Sequence, residues 1–156
     1  MEHADDSTSV KSRTGYLITL GGVPITWSSK LQSEIATSTM HAEYIALSTG
    51  MRELMPIKNT FEYICNNMKI KVPPSSKVIR VWEDNEGALK LATSAKEKVT
   101  PHTKHFAIKY HWFCEKLDEL KIVIKYIDTK LQKADIFTKG ITGSDFKAKR
   151  SFLMGW

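Results

Sequence analysis

The feature that most constrains the fold is a long helical pattern that lies between two β-prone regions. Apolar residues recur at helical spacing from about residue 39 to residue 67, after a Ser38-Thr39 pair that predicts an N-cap. Pro56 lies inside this stretch and predicts a kink or a split, because proline removes a backbone donor. A long amphipathic helix between strands needs a sheet on which to pack.

The β-prone segments on both sides of the helix supply that sheet. Residues 15–20 and 23–27 flank Gly21-Gly22, which predicts a hairpin. Later strands are predicted at residues 78–82 and 122–127, and further helices at residues 86–92, 104–120, 131–139 and 145–153. This order predicts an α/β fold in which helices flank a central mixed sheet.

A single domain accounts for the whole pattern. Residues 1–12 are rich in Asp, Ser and Thr and predict an irregular N-terminal segment, so that residues 13–156 form the domain. No run approaches the roughly 20 apolar residues of a membrane span, and the acidic start is unlike a signal peptide. We therefore expect an intracellular protein that is not secreted and has no membrane partner.

Three carboxylates stand out by their positions. Glu43 lies early in the long helix, Asp84 follows the strand at 78–82, and Asp135 is flanked by apolar residues. Each has an ordinary explanation, since acids often cap helices or compensate helix dipoles. Delivered together by separate elements, however, three acids meet the requirement of a site for hard divalent cations, which bind oxygen ligands.

The positive charge lies mostly in the last third of the chain. Residues 1–100 carry 12 Lys/Arg and 11 Asp/Glu, whereas residues 101–156 carry 11 and 6. Such a surface attracts phosphate backbones, although it also serves solubility. Candidate nucleic-acid contacts are Lys104, His105, Lys109, Lys133 and Lys139, for each of which a solvated role is the alternative.

Four ordered segments carry a family resemblance. Residues 10–48, 81–92, 103–117 and 126–141 resemble, in this order, the ribonuclease H domain of copia-type LTR retrotransposon Pol polyproteins. The closing Phe-Leu-Met-Gly-Trp is similar to the end of many of those polyproteins. The resemblance implies a ribonuclease H-like fold and location in the cytoplasm, a retrotransposon particle or the nucleus.

The resemblance also implies a reaction, which is cleavage of the RNA strand of an RNA/DNA hybrid with two Mg²⁺ or Mn²⁺ ions. The family's helix glutamate falls on Glu43, its second-strand aspartate on Asp84 and its last aspartate on Asp135. These three would be the catalytic and metal-binding residues. The expected partners are the hybrid or another nucleic acid, and the reverse transcriptase part of the same polyprotein.

A departure from the family keeps a second function open. The family's fourth acid lies on a first strand upstream of the segment that residues 5–12 resemble, so the match predicts truncation at the N-terminus and a missing first strand. Losing a shared metal ligand would lower hydrolysis by orders of magnitude. The alternative is therefore a degenerate, inactive retrotransposon fragment that keeps the fold and weak nucleic-acid binding.

The histidines and aromatic residues allow a third class of function. His102, His105, His111 and Cys114 invite a zinc site, but structural zinc usually recruits cysteine pairs, and we favour packing, hydrogen bonding or phosphate contact for them. The two cysteines, Cys65 and Cys114, predict reduced thiols. Five aromatic residues are predicted on core faces rather than as base-stacking groups: Tyr16, Trp27, Trp82, Trp112 and Phe137.

Overall fold

The computed structural model describes residues 11–93, 111–141 and 143–155 of the 156-residue chain. Its helices and strands are β1 (Arg13–Leu20), β2 (Val23–Leu31), α1 (Thr39–Asn67), β3 (Ile79–Glu83), α2 (Glu86–Thr93), β4 (Ile122–Tyr126) and α3 (Gly143–Met154). Short 3₁₀ helices lie at Pro74–Lys77, His111–Lys116, Thr129–Leu131 and Lys133–Phe137. The mixed α/β class predicted from the order of elements is confirmed.

The first two strands form an antiparallel hairpin. Gly21 and Gly22 both have positive φ, 60° and 88°, which two-residue hairpin turns require and glycine adopts without strain. The pairing shifts register between Ile18 and Thr19. The hairpin predicted from the Gly-Gly pair is therefore present, with its second strand extended to Leu31.

Helix α1 is continuous from Thr39 to Asn67, with Pro56 inside it, so the expected split is not observed. The Ser38 hydroxyl accepts a hydrogen bond from the His41 N–H at 3.1 Å and caps the helix. Most of the buried residues of α1 lie in its first half, between positions 41 and 51. No helix in the described ranges is both long and apolar enough to cross a membrane.

The core lies between α1, α2 and the parallel pair β3–β4. Tyr44 and Phe113 are fully buried there, with ring centroids 5.8 Å apart. The other members of the buried cluster are aliphatic side chains and small residues of α1, α2 and β4: Ile45, Leu47, Met51, Ala88, Leu91, Ala92, Ile122 and Ile124. This core fixes the position of the C-terminal end of β3 relative to α1.

The single central sheet that the sequence predicted is not observed. The described strands form two separate sheets, β1–β2 and β3–β4. A cavity of about 340 Å³ is lined by residues 15–19 of β1 and residues 79–83 of β3. Consecutive residues of a strand point to opposite faces of the sheet. Because this cavity is lined by consecutive residues of β1 and of β3, it runs along the edges of the two strands. The two sheets are thus held together by α1 and the core rather than by strand pairing.

The last part of the chain differs from the helices that were predicted for it. In the described part of the predicted helix 104–120, residues 111–116 form a 3₁₀ helix and residues 117–120 a turn. The predicted helix 131–139 is replaced by the short 3₁₀ helices Thr129–Leu131 and Lys133–Phe137. The Asp128 and Gln132 side chains accept hydrogen bonds from the N–H groups of Lys130 and Ala134. Such local bonds offer the backbone an alternative to regular helix.

Candidate active site

Three carboxylates converge where β3 ends. Glu83 is the last residue of β3, Asp84 follows it, and Glu43 projects from the N-terminal part of α1. Each of these side chains offers a carboxylate oxygen, and the three oxygens all lie within 4.8 Å of one another. The arrangement offers only hard oxygen donors, which is the donor set that Mg²⁺ and Mn²⁺ prefer.

Burial makes the two glutamates of this cluster, Glu83 and Glu43, costly to ionise. Glu83 is 5% exposed, and burial raises its pKa to about 8, assisted by the charges of Glu43 and Asp84. The N–H of Asn85 donates to Glu83 Oε1 at 3.0 Å and opposes that rise. Burial, followed by Asp84, also raises the pKa of Glu43. A cation placed among these groups would stabilise their ionised forms.

Asp135 lies at the same cavity but in a different electrostatic setting. It is 8% exposed, and its Oδ2 atom accepts from Lys139 Nζ at 2.8 Å and from Lys149 Nζ at 3.3 Å. Its charge still contributes to the raised pKa of Glu43. The fold therefore brings the three predicted acids, Glu43, Asp84 and Asp135, to one cavity, with Asp135 held by two ammonium groups.

The segment that carries Asp135 is fixed against the hairpin. The Ser29 hydroxyl donates to the carbonyl of Phe137. Gly15 faces the segment so closely that a Cβ atom at that position would lie 2.5 Å from Thr138 Cγ2 and 3.3 Å from the Ala134 carbonyl. A side chain at position 15 would therefore push the Asp135 segment away from β1.

The predicted nucleic-acid contacts are only partly described. Lys139 donates to Asp135, and Lys133 lies over the ring of Phe152, with its Nζ 4.4 Å from the ring centroid. Lys104, His105 and Lys109 lie outside the described residues, as does His102 of the predicted zinc group. Both described lysines lie beside the cavity, whose lining includes Lys133.

The remaining members of the predicted zinc group make other contacts. His111 Nδ1 lies 2.6 Å from the Tyr44 hydroxyl and 3.4 Å from Cys114 Sγ. Burial raises the pKa of the Cys114 thiol, which disfavours the thiolate that zinc would bind. These contacts are of the packing and hydrogen-bonding kind that the sequence favoured for the group.

The structure adds one acid that sequence reasoning missed and corrects two aromatic residues. Glu83 is the last residue of β3, and strand alternation places its side chain on the same face as Ile79 and Val81. Trp27 and Trp82 are 59% and 46% exposed, so their prediction as core residues is wrong. Tyr16, Trp112 and Phe137 are partly buried, and Trp112 donates to the Ser48 hydroxyl at 3.0 Å.

Comparison with known proteins gives a consistent set of relatives. The chain is 33% identical over 144 residues to the retrovirus-related Pol polyprotein from transposon TNT 1-94 of Nicotiana tabacum, a match that covers 92% of the chain and 10% of the relative. It is 28% identical over 149 residues to the corresponding polyproteins of transposons RE1 and RE2 of Arabidopsis thaliana, with 92% of the chain and 9% of each relative covered.

These matches cover only a short segment of each relative. The chain spans about a tenth of the length of the curated relatives it matches. No protein-family model matches the chain, and no solved structure matches it. The chain is therefore similar to one segment of these polyproteins, and what can be said of its chemistry rests on its own residues.

Proposed function

We propose that this chain, which is homologous to a segment of the retrovirus-related Pol polyproteins of plant transposons, is a ribonuclease H-type domain that hydrolyses the RNA strand of RNA/DNA hybrids. The single observation that carries the proposal is the convergence of Glu43, Glu83 and Asp84, whose carboxylate oxygens lie within 4.8 Å of one another. Phosphodiester hydrolysis by divalent metals needs such a cluster, because the metals must contact both attacking and leaving oxygens.

The donor set fits divalent metals. Glu43, Glu83 and Asp84 would hold one ion, and Asp135 at the same cavity would help to hold a second. When bound, Mg²⁺ or Mn²⁺ would supply Lewis-acid activation and lower the pKa of water at the site. The raised pKa values of Glu43 and Glu83 support this assignment, since close buried carboxylates of like charge are stabilised by a cation.

The chain's own residues would orient the substrate. Helix α1 and the end of β3 bring Glu43 and Asp84 to the same cavity, and the Asn85 N–H donates to one oxygen of Glu83. Lys139 would neutralise charge close to the bound phosphate, as it already does beside Asp135. Recognition of an RNA strand would rest on its phosphates and 2′-hydroxyls rather than on base sequence.

Hybrid cleavage with matched variants tests the proposal. We expect Mg²⁺- or Mn²⁺-dependent cleavage of a labelled RNA/DNA hybrid that falls by about a hundredfold or more in Asp84→Asn and Glu43→Gln. The control is Glu86→Gln, which removes an exposed acid on α2 and should retain activity. Hybrid binding without cleavage in any divalent metal would reject the proposal and favour an inactive fragment. The ion pairs of Asp135 with two lysines support that alternative, because they occupy an oxygen that a metal would need.

A further inference from the structure

The outer face of the parallel sheet carries an exposed aromatic residue between two cations. In β3 and β4, side chains at 79, 81 and 83 and at 122 and 124 point to the core, so the alternate positions point outward. We define the outer face as Arg80, Trp82, Val123 and Lys125, all of which are exposed. Trp82 pairs in register with Lys125, and Arg80 pairs with Val123.

This exposure is unusual for a parallel pair of strands. Parallel sheets are normally covered on both faces, because their crossover connections place helices there. Here α2 packs on the inner side, where residues of α1 belong to the same buried cluster, while Trp82 leaves 46% of its surface exposed. A tryptophan combines a large apolar surface with a ring face suited to stacking, so its exposure beside cations marks a contact surface.

The charges on this face select the chemistry of the partner. Lys125 lies on the neighbouring strand at the usual separation of about 4.8 Å, and Arg80 lies about 7 Å along the same strand. The four outer-face positions include no acid. Among the described residues, neither Arg80 nor Lys125 forms an ion pair. A polyanion with stackable planar groups satisfies both features, since phosphates pair with the cations and a base stacks on the indole.

We propose that the outer face binds single-stranded nucleic acid, with one base stacked on Trp82 and phosphates contacted by Arg80 and Lys125. Arg80 and Trp82 also line the cavity that holds Glu43 and Asp84, so a strand on this face leads towards the carboxylate cluster. The binding does not use the carboxylates. It therefore stands or falls separately from the proposed hydrolysis.

The test measures binding of a fluorescein-labelled twelve-nucleotide oligothymidylate by anisotropy in EDTA. We expect Trp82→Leu to weaken binding about tenfold or more, as loss of one stacked base does. Arg80→Met and Lys125→Met should each reduce the slope of log affinity against log salt by about 0.7. Trp82→Phe should keep most of the affinity because it preserves a stacking ring, and circular dichroism would verify that the variants fold.

The matched control is Trp27→Leu, which removes a tryptophan that is more exposed than Trp82. Its neighbours include Ile25 on β2 and its partner Leu17 on β1, which are apolar rather than cationic. This variant should bind like the parent chain. Unchanged affinity in folded Trp82→Leu overturns the proposal, and so does an equal loss in Trp27→Leu. Oligonucleotide binding is measured in EDTA, whereas hybrid cleavage requires a divalent metal, so either readout can fail while the other is retained, which separates the two proposals.

Discussion

The ammonium nitrogen of Lys149 lies 3.3 Å from Oδ2 of Asp135, so helix α3 places a cation on a carboxylate at the edge of the candidate active site. Lys139 shares the same oxygen at 2.8 Å. No residue of α3 is buried in the part of that helix that the structure describes, and its contacts include this ion pair, the hydrogen bond from Lys149 to the Gln132 carbonyl and Lys133 over the ring of Phe152. A divalent cation bound at Asp135 would compete with these ammonium groups.

Removing the Lys149 ammonium should therefore strengthen metal binding. We expect Lys149→Met to increase the affinity for Mn²⁺ about fivefold to tenfold, the size of an ordinary coupling between two sites. Titration calorimetry with Mn²⁺ measures the change. Lys147→Met is the control, because Lys147 is exposed on the same helix. Equal or weaker Mn²⁺ affinity in Lys149→Met would show that Lys149 and the metal do not compete.

The burial of Glu83 predicts how metal-free stability depends on pH. Its pKa rises from 4.5 to about 8 on folding, so the folded state retains a proton that the unfolded state releases. This contribution to stability is complete below pH 4.5 and is lost as the pH rises towards 8, by up to about 1.4 kcal/mol per pH unit. Urea unfolding in EDTA between pH 5 and pH 8 measures the decline.

Glu83→Gln should flatten that decline because the amide does not titrate, whereas Glu86→Gln, at an exposed position, should leave it unchanged. Mn²⁺ affinity of the parent chain should increase over the same pH range, since metals bind the ionised carboxylate. A stability profile that rises from pH 5 to pH 8 in the parent chain would contradict the assignment.

The contact between Gly15 and the Asp135 segment predicts a steric effect on the site. A Cβ at Gly15 would lie 2.5 Å from Thr138 Cγ2 and 3.0 Å from Phe137 Cβ. Gly15→Ala should destabilise the fold by about 1–3 kcal/mol through overpacking and should weaken Mn²⁺ binding. Adding Thr138→Ser removes the contacting methyl group and should recover part of both losses.

Gly140→Ala is the control, since a Cβ at that position meets nothing within 4 Å. Urea unfolding and calorimetry give the two readouts. If Gly15→Ala matches Gly140→Ala in both, the Asp135 segment is not positioned by its contact with β1.

The sequence predicted those elements whose periodicity is strong and whose ends are marked. The helical pattern over 39–67 and its Ser38 cap correspond to α1, and the Gly21-Gly22 pair corresponds to the hairpin turn. The turns around Asp135 were not predictable in the same way, because side chains of Asp128 and Gln132 bond to nearby N–H groups and override the apolar spacing. The division into two sheets depends on long-range packing that no local pattern records.

The sequence indicated two carboxylates of the converging cluster but neither Glu83 nor the electrostatics of the site. Spacing and resemblance selected Glu43 and Asp84, which the fold brings together with Glu83. Nothing in the local sequence of Asp135 indicates Lys149, which lies 14 residues away and reaches it only because α3 packs against the Lys133–Phe137 turn. Burial likewise decides the pKa of Glu83, and burial is a property of the assembled core.

The hydroxyl of Tyr44 predicts a stability effect that does not involve the carboxylates. Tyr44 is fully buried, and its oxygen lies 2.6 Å from His111 Nδ1 and 3.6 Å from Cys114 Sγ. Tyr44→Phe keeps the ring and removes the hydrogen bond between Tyr44 and His111, which should cost about 0.5–1.5 kcal/mol of unfolding free energy. Tyr63→Phe, at an exposed position, should change stability by less than about 0.5 kcal/mol. Urea unfolding of both variants, with zinc content measured in parallel, decides between a hydrogen-bonded core and a metal site. Stoichiometric zinc that is lost in Tyr44→Phe would reverse the assignment of His111 and Cys114.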